Sequence, residues 1–257
     1  RPQADVVPAA APLTCRGLRK AFGGVVAVAD ASLTLHPGRI VAIIGPNGAG
    51  KTSVFNILSG FENADAGEAH LYGVPIIGRS TAEIARLGLA RTFQDVRAWP
   101  RLTTIENLLV VRERVRAPSA WLPAAPRFST RVPDEYAAEV WELLERFGLA
   151  GHANMPAGQL SYAQRKMVSL ARIACFDPGV MLLDEPTSGV DPRRLDTFLA
   201  QIRRFAADGK AVCMIEHNMT VVRELADEVV FMDEGRVIAS GSPRDILGEF
   251  AHHRHVV

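Results

Sequence analysis

Lys51 and Thr52 close an eight-residue run, Gly45-Pro46-Asn47-Gly48-Ala49-Gly50-Lys51-Thr52, that fits the pattern G-x-x-x-x-G-K-[ST]. Glycines in such a loop let successive backbone N–H groups turn inward, where a Cβ would hinder them, and cradle phosphate oxygens. Lys51 offers a point charge to β- and γ-phosphates, and Thr52 offers a hydroxyl to Mg²⁺. Ser53 continues into a helical stretch whose first N–H groups and dipole favour the same anion. The expected ligand is a nucleoside triphosphate.

A second group of residues suits hydrolysis of that ligand. Val180 to Glu185 is an apolar run ending in two carboxylates. Asp184 is placed to hold the Mg²⁺ shell, and Glu185 to orient and deprotonate a water as general base. Taken alone, the run is an ordinary buried strand with an acidic end. Ser161-x-x-Gln164 opens a helix and could set that helix N-terminus against a γ-phosphate, although alone it reads as a plain capping box. Phe22, before the first full strand, could stack on adenine, and Gln94 at a strand end could touch Mg²⁺ or the water. Asp191 before Pro192 is explained by helix capping, and His217 follows an apolar strand from which it could reach the γ-phosphate.

The elements that must carry these residues can be read from periodicity. Alternating runs predict three strands within residues 13–44, separated by Gly23-Gly24 and His36-Pro37-Gly38. The third, Ile40–Ile44, feeds the glycine loop, and a helix follows from Ser53 to Leu58. A strand in GEAHLYG, a short helix from the Ser80–Glu83 capping box through Arg86, and a strand from Leu89 to Phe93 come next. Strand signals then vanish. Helical stretches at Thr103–Arg114 and Pro133–Phe147 flank a proline-rich segment that cannot be one helix. Residues 95–175 therefore read as a helical insertion. Strand and helix alternate again from Gly179, ending in a hairpin around Glu234-Gly235, which predicts a largely parallel sheet flanked by helices. The opening RPQADVVPAAAPL reads as a flexible arm, and the missing initiator Met suggests a piece of a longer product.

Composition sets outer limits. The chain has 257 residues, 48% hydrophobic and 22% charged, with a formal net charge of +1, so no surface for coating nucleic acid is indicated. Its three cysteines, Cys15, Cys175 and Cys213, form no C-x-x-C pair and fit a reducing compartment. No window approaches the apolar length of a membrane span.

In order along residues 13–248, these segments resemble the nucleotide-binding subunit of ATP-binding cassette (ABC) transporters. Phe22 resembles the aromatic A-loop residue, Gly45–Thr52 the Walker A loop, Gln94 the Q-loop glutamine and Leu160–Gln164 the signature. Val180–Glu185 is similar to Walker B with its catalytic glutamate, Ser188–Asp191 to the D-loop and His217 to the switch histidine. The family's usual signature is Leu-Ser-Gly-Gly-Gln, whereas Tyr162 and Ala163 stand at its glycine positions here. FGGVVAVADASL and ARTFQDVRAWPRLTTIENLLV are similar to branched-chain amino-acid importer ATPases, with urea and amide importers also open.

The resemblance implies an α/β fold: a P-loop NTPase-like ABC ATPase core with an N-terminal antiparallel β subdomain and an inserted α-helical subdomain. Residues 1–12 would be the arm, 13–94 and 176–248 the core, 95–175 the helical subdomain and 249–257 a tail. It implies ATP and Mg²⁺ as ligands and a second, identical or homologous, ATPase subunit packed head to tail. Permease subunits, a solute-binding protein acting indirectly and a place at the cytoplasmic face of the membrane follow too. Trp99, Leu102 and Leu108 become candidates for a docking groove, with core packing the competing reading. The clustered His252, His253 and His255 could bind metal, but a solvated tail is the plainer reading. Soluble relatives acting in translation or DNA maintenance are the rival class. They resemble paired cassettes or carry long coiled coils, and neither feature is present. A binding-only regulatory module is the third reading, against which Glu185 and His217 argue.

Overall fold

The computed structural model describes residues 11–92, 98–116 and 134–250. Gln94, the proline-rich segment 117–133, most of the N-terminal arm and the histidines at 252, 253 and 255 lie outside the described residues. The chain divides into two compact units. The first is built from described residues of Arg1–Arg91, Gly179–Glu185 and Ile202–Val257, the second from Thr92–Pro178 and Pro186–Gln201.

The first unit holds one ten-stranded sheet. Its strands are β1 (Leu13–Phe22), β2 (Val25–Leu35), β3 (Ile40–Ile44), β4 (Ala66–Leu71), β5 (Val74–Pro75), β6 (Leu89–Arg91), β7 (Val180–Asp184), β8 (Ala211–Ile215), β9 (Glu228–Asp233) and β10 (Arg236–Gly241). They lie in the order β5-β4-β1-β2-β10-β9-β3-β8-β7-β6. The parallel sheet expected from the alternation of strands and helices and the expected antiparallel N-terminal subdomain are both present. β9, β3, β8, β7 and β6 are parallel neighbours, but β5, β4, β1 and β2 pair antiparallel, as do β9 and β10. Among the described residues β10 joins the halves, through Arg236 opposite Asp30.

Burial explains which strands sit in the middle. All five residues of β3, β7 and β8 are buried, as continuous apolar runs covered on both faces require. Alternate residues of these strands (Val41, Ile43, Leu182, Cys213) join Leu18, Val28 and Leu35 of the antiparallel strands in one core. Val54, Phe55 and Leu58 of helix α1 (Lys51–Leu58) fill the same core, so the sheet curls around the helix that leaves the glycine loop. Helix α2 (Thr81–Arg86) starts at Ser80 with both halves of a capping box in place, worth about 1 kcal/mol.

The second unit is helical. Helices α3 (Thr104–Arg116), α4 (Asp134–Arg146) and α5 (Tyr162–Phe176) pack around buried Leu108, Val140, Leu144 and Val168. The buried Asn107 amide donates to the carbonyls of Trp99 and Thr103 and accepts from the Trp99 N–H, fixing the chain entering α3. Leu108 is wholly buried, which removes it from the candidate docking surface. Trp99 remains exposed, with the Arg172 guanidinium 4.0 Å from its ring centre. The boundary between the units falls inside α6 (Pro192–Ala207); α7 (Met219–Leu225) and α8 (Pro243–Phe250) complete the first unit, α8 lying against β9 and β10. No described helix is long and apolar enough to cross a membrane.

Candidate nucleotide site

The glycine loop leaves the carboxyl end of β3, where ligands of open α/β sheets gather. Backbone proximity dictates two of its glycines. A Cβ on Gly45 would stand 1.9 Å from the Met232 carbonyl oxygen, and one on Gly50 would stand 2.2 Å from that of Ala27. Gly50, at φ 93°, is also the N-cap of α1. The Lys51 ammonium is buried and donates to the carbonyls of Gly45 at 2.7 Å and Pro46 at 2.8 Å. Burial lowers its pKa below the ordinary lysine value, opposed by the charges of Glu185 and Asp184. Asn47, Gly48 and Thr52 are exposed, Pro46 and Ser53 half-buried, and Ala49 is packed into the core.

Both carboxylates stand at the end of β7, next to β3's neighbour β8. Asp184 is buried and accepts from Arg91 at 2.9 Å. Glu185 turns away with φ 45°, a left-handed conformation that costs a non-glycine residue about 1–2 kcal/mol. Its N–H bonds the Ile215 carbonyl at 3.0 Å, and its Oε1 lies 3.2 Å from His217 Nε2. A left-handed glutamate beside a histidine is the kind of strain that accumulates at working sites. An exposed threonine hydroxyl next to the loop lysine and a buried carboxylate make an oxygen donor set that fits Mg²⁺.

Phe22 is not ahead of the first full strand, as read from sequence, but its last residue. The ten-residue β1 reaches it through pairing with β2, Ala21 opposite Val26 and Phe22 opposite Val25, and Asp65 accepts from the Ala21 N–H at 2.7 Å and from Lys20 Nζ at 3.1 Å. The ring is 44% exposed, enough for a base to stack on it, and Lys20 Nζ lies 5.2 Å from its centre.

The second unit carries the other sequence candidates. Ser161 caps α5: its Oγ accepts from the Gln164 N–H at 3.3 Å, and Gln164 Oε1 accepts from the Ser161 N–H at 2.9 Å. Gln164 Nε2 also lies 2.9 Å from His152 Nε2. Tyr162 lays its ring over Gly189, where an added Cβ would come within 2.8 Å of Cε1. Asp191 takes the Arg193 N–H at 2.9 Å at the start of α6, as a helix cap would. The structure thus brings Lys51, Asp184, Glu185 and His217 together in one unit and Ser161, Gln164, Gly189 and Asp191 in the other. Gln94 lies outside the described residues.

Arg91 escaped sequence reading. Its guanidinium also donates to Asn56 Oδ1 at 2.6 Å and Ser59 Oγ at 3.2 Å, and lies 5.5 Å from the Phe55 ring centre. The signal was an arginine inside a short apolar strand, a place where charge needs a partner.

Fold and site define a phosphate-loop nucleotide-binding domain. Comparison with known proteins narrows the class: residues 28–188 match the family described as ABC transporter, and the chain belongs to that family. It is 37% identical over 239 residues to the high-affinity branched-chain amino acid transport ATP-binding protein LivG of Escherichia coli, covering 91% of this chain and 92% of that protein. To the corresponding protein BraF of Pseudomonas aeruginosa it is 39% identical with the same coverage. The ADP conformation of MJ1267, an ATP-binding cassette of an ABC transporter, superposes with a TM-score of 0.81 at 26% identity, covering 96% of this chain and 97% of that one. A nucleotide-free ATP-binding cassette from an ABC transporter gives 0.80 at the same identity and coverage.

Proposed function

We propose that this chain is the ATP-hydrolysing subunit of an importer for branched-chain amino acids or related small solutes, bound peripherally at the cytoplasmic face of the membrane. The observation that carries the hydrolytic part is Glu185, held left-handed one residue beyond Asp184 with His217 3.2 Å from its carboxylate. The solute class follows the names of the relatives LivG and BraF.

In this reading the loop N–H groups from Gly45 to Thr52 and the Lys51 ammonium bind the phosphates, and Phe22 stacks on adenine. Thr52 and Asp184, with Gln94, hold Mg²⁺, which supplies charge neutralisation for the phosphate oxygens. Glu185 orients a water and accepts its proton as the water oxygen bonds to the γ-phosphorus and the bond to the bridging oxygen breaks. His217 holds the Glu185 carboxylate and contacts the γ-phosphate. Ser161 and Gln164 complete the site of a second ATPase subunit, identical or homologous, packed head to tail. Residues 95–175, with exposed Trp99 and half-buried Leu102 as contact candidates, couple closure to permease subunits fed by a solute-binding protein.

Purification from native membranes, with identification of everything that stays bound, tests the transport reading. Recovery of permease subunits and a solute-binding protein is the expected result. Recovery of ribosomes or DNA-repair proteins would overturn it while leaving the ATPase chemistry standing.

A further inference from the structure

Arg91 joins two parts of the site that no sequence motif connects. It ends β6, at the edge of the sheet, yet its side chain is only 4% exposed. One terminal nitrogen donates to Asp184 Oδ2 at 2.9 Å. The other donates to Asn56 Oδ1 at 2.6 Å and to Ser59 Oγ at 3.2 Å. Asn56 lies in the last turn of α1 and Ser59 caps it, and α1 is the helix that begins with Lys51 and Thr52. The Phe55 ring, also on α1, lies against the guanidinium at 5.5 Å. A rigid planar fork therefore ties the far end of the phosphate-loop helix to the carboxylate at the end of β7.

A carboxylate on a strand end can rotate about its last bonds. A guanidinium held at its other terminal nitrogen by a helix fixes the position of Oδ2, whereas a flexible ammonium with a single contact would leave it freer. We propose that Arg91 is a positioning residue that orients Asp184 for a divalent cation relative to the Thr52 hydroxyl, setting the cation affinity of the nucleotide site. This rests on the reading of Asp184 and Thr52 as the cation's holders. Partners that orient a metal ligand from behind, when removed, typically cost about 10–100-fold in metal affinity. Arg91 has this relation to Asp184.

The test is Mn²⁺ binding followed by electron paramagnetic resonance on the full chain with a non-hydrolysable ATP analogue. Binding of a fluorescent ATP analogue without metal is measured beside it. Arg91→Lys keeps the charge but cannot span Asp184 and Asn56, and the Asn56→Ala change, made together with Ser59→Ala and called the Asn56→Ala protein below, removes both polar anchors on α1 while leaving the Arg91–Asp184 pair. Arg91→Lys is expected to raise the half-saturating Mn²⁺ concentration about tenfold and Asn56→Ala severalfold, with metal-free nucleotide binding within twofold of wild type. A folded Arg91→Lys protein with wild-type Mn²⁺ affinity would overturn the proposal, and if that variant fails to fold, an unshifted Asn56→Ala protein does so. Asp184→Asn separates the two levels. If it retains wild-type Mn²⁺ affinity, the placement of the cation itself is wrong, whatever the Arg91 variants show.

Discussion

Glu185 Oε1 and His217 Nε2 stand 3.2 Å apart, just beyond the ends of the paired strands β7 and β8. The parallel register that sets Asp184 opposite Ile215 determines this meeting, and the Glu185 N–H bond to Ile215 locks it. His217→Ala should lower turnover about a hundredfold, within the range for a group assisting general base catalysis, and leave ATP affinity within about twofold. Steady-state hydrolysis measured beside equilibrium nucleotide binding checks both halves.

Lys51 is a buried ammonium satisfied by two loop carbonyls. Lys51→Ala should weaken ATP binding about 10–100-fold, the loss of a charge-assisted hydrogen bond of about 1.5–3 kcal/mol. Burial lowers its pKa from the usual 10.5, and only the protonated form attracts phosphate. ATP affinity should therefore fall as pH rises through a value below 10.5, and Lys51→Arg should flatten that alkaline limb. Nucleotide titrations from neutral to alkaline pH measure it.

The glycine loop and the capping boxes at Ser80 and Ser161 were legible because their partners are neighbours in sequence. Ser80 and Glu83 close the cap of α2, and Ser161 and Gln164 close that of α5, three residues apart as helix geometry demands. What stayed hidden depends on contacts far along the chain. Arg91 meets Asn56 and Asp184 because β6 pairs with β7. Leu108 had the same helical spacing whether it faced a groove or the core, and packing of α3 on α5 decides for the core. The insertion of β10 between β2 and β9 leaves no trace in local pattern.

The three cysteines should be silent to thiol reagents in the folded protein. Burial pushes the Cys15 thiol up to about 12 and Cys175 to about 11, and Cys213 well above its ordinary value. At pH 8 all three stay protonated, and the thiolate is the reactive form. Titration with an aromatic disulfide reagent should give no rapid reaction in buffer and three thiols in denaturant.

Gly189 lies under the Tyr162 ring at φ 69°. Gly189→Ala should cost about 1–2 kcal/mol, from the left-handed backbone and displacement of the ring. Tyr162→Ala removes only the second source, so the double variant should be less destabilised than the sum of the singles. Denaturant unfolding of the four proteins completes the cycle. Ala163→Gly, which restores the family's usual residue, should leave ATPase activity equal or raised.

The most direct measurement is hydrolysis and assembly of Glu185→Gln in the presence of ATP. Glutamine keeps the size of the side chain but cannot accept the proton of the attacking water. The account predicts normal ATP binding, turnover lowered by at least about a hundredfold and a stable ATP-bound dimer in sedimentation. Turnover at the wild-type rate, without a trapped dimer, would contradict the assignment of Glu185 as the base and with it the hydrolytic mechanism.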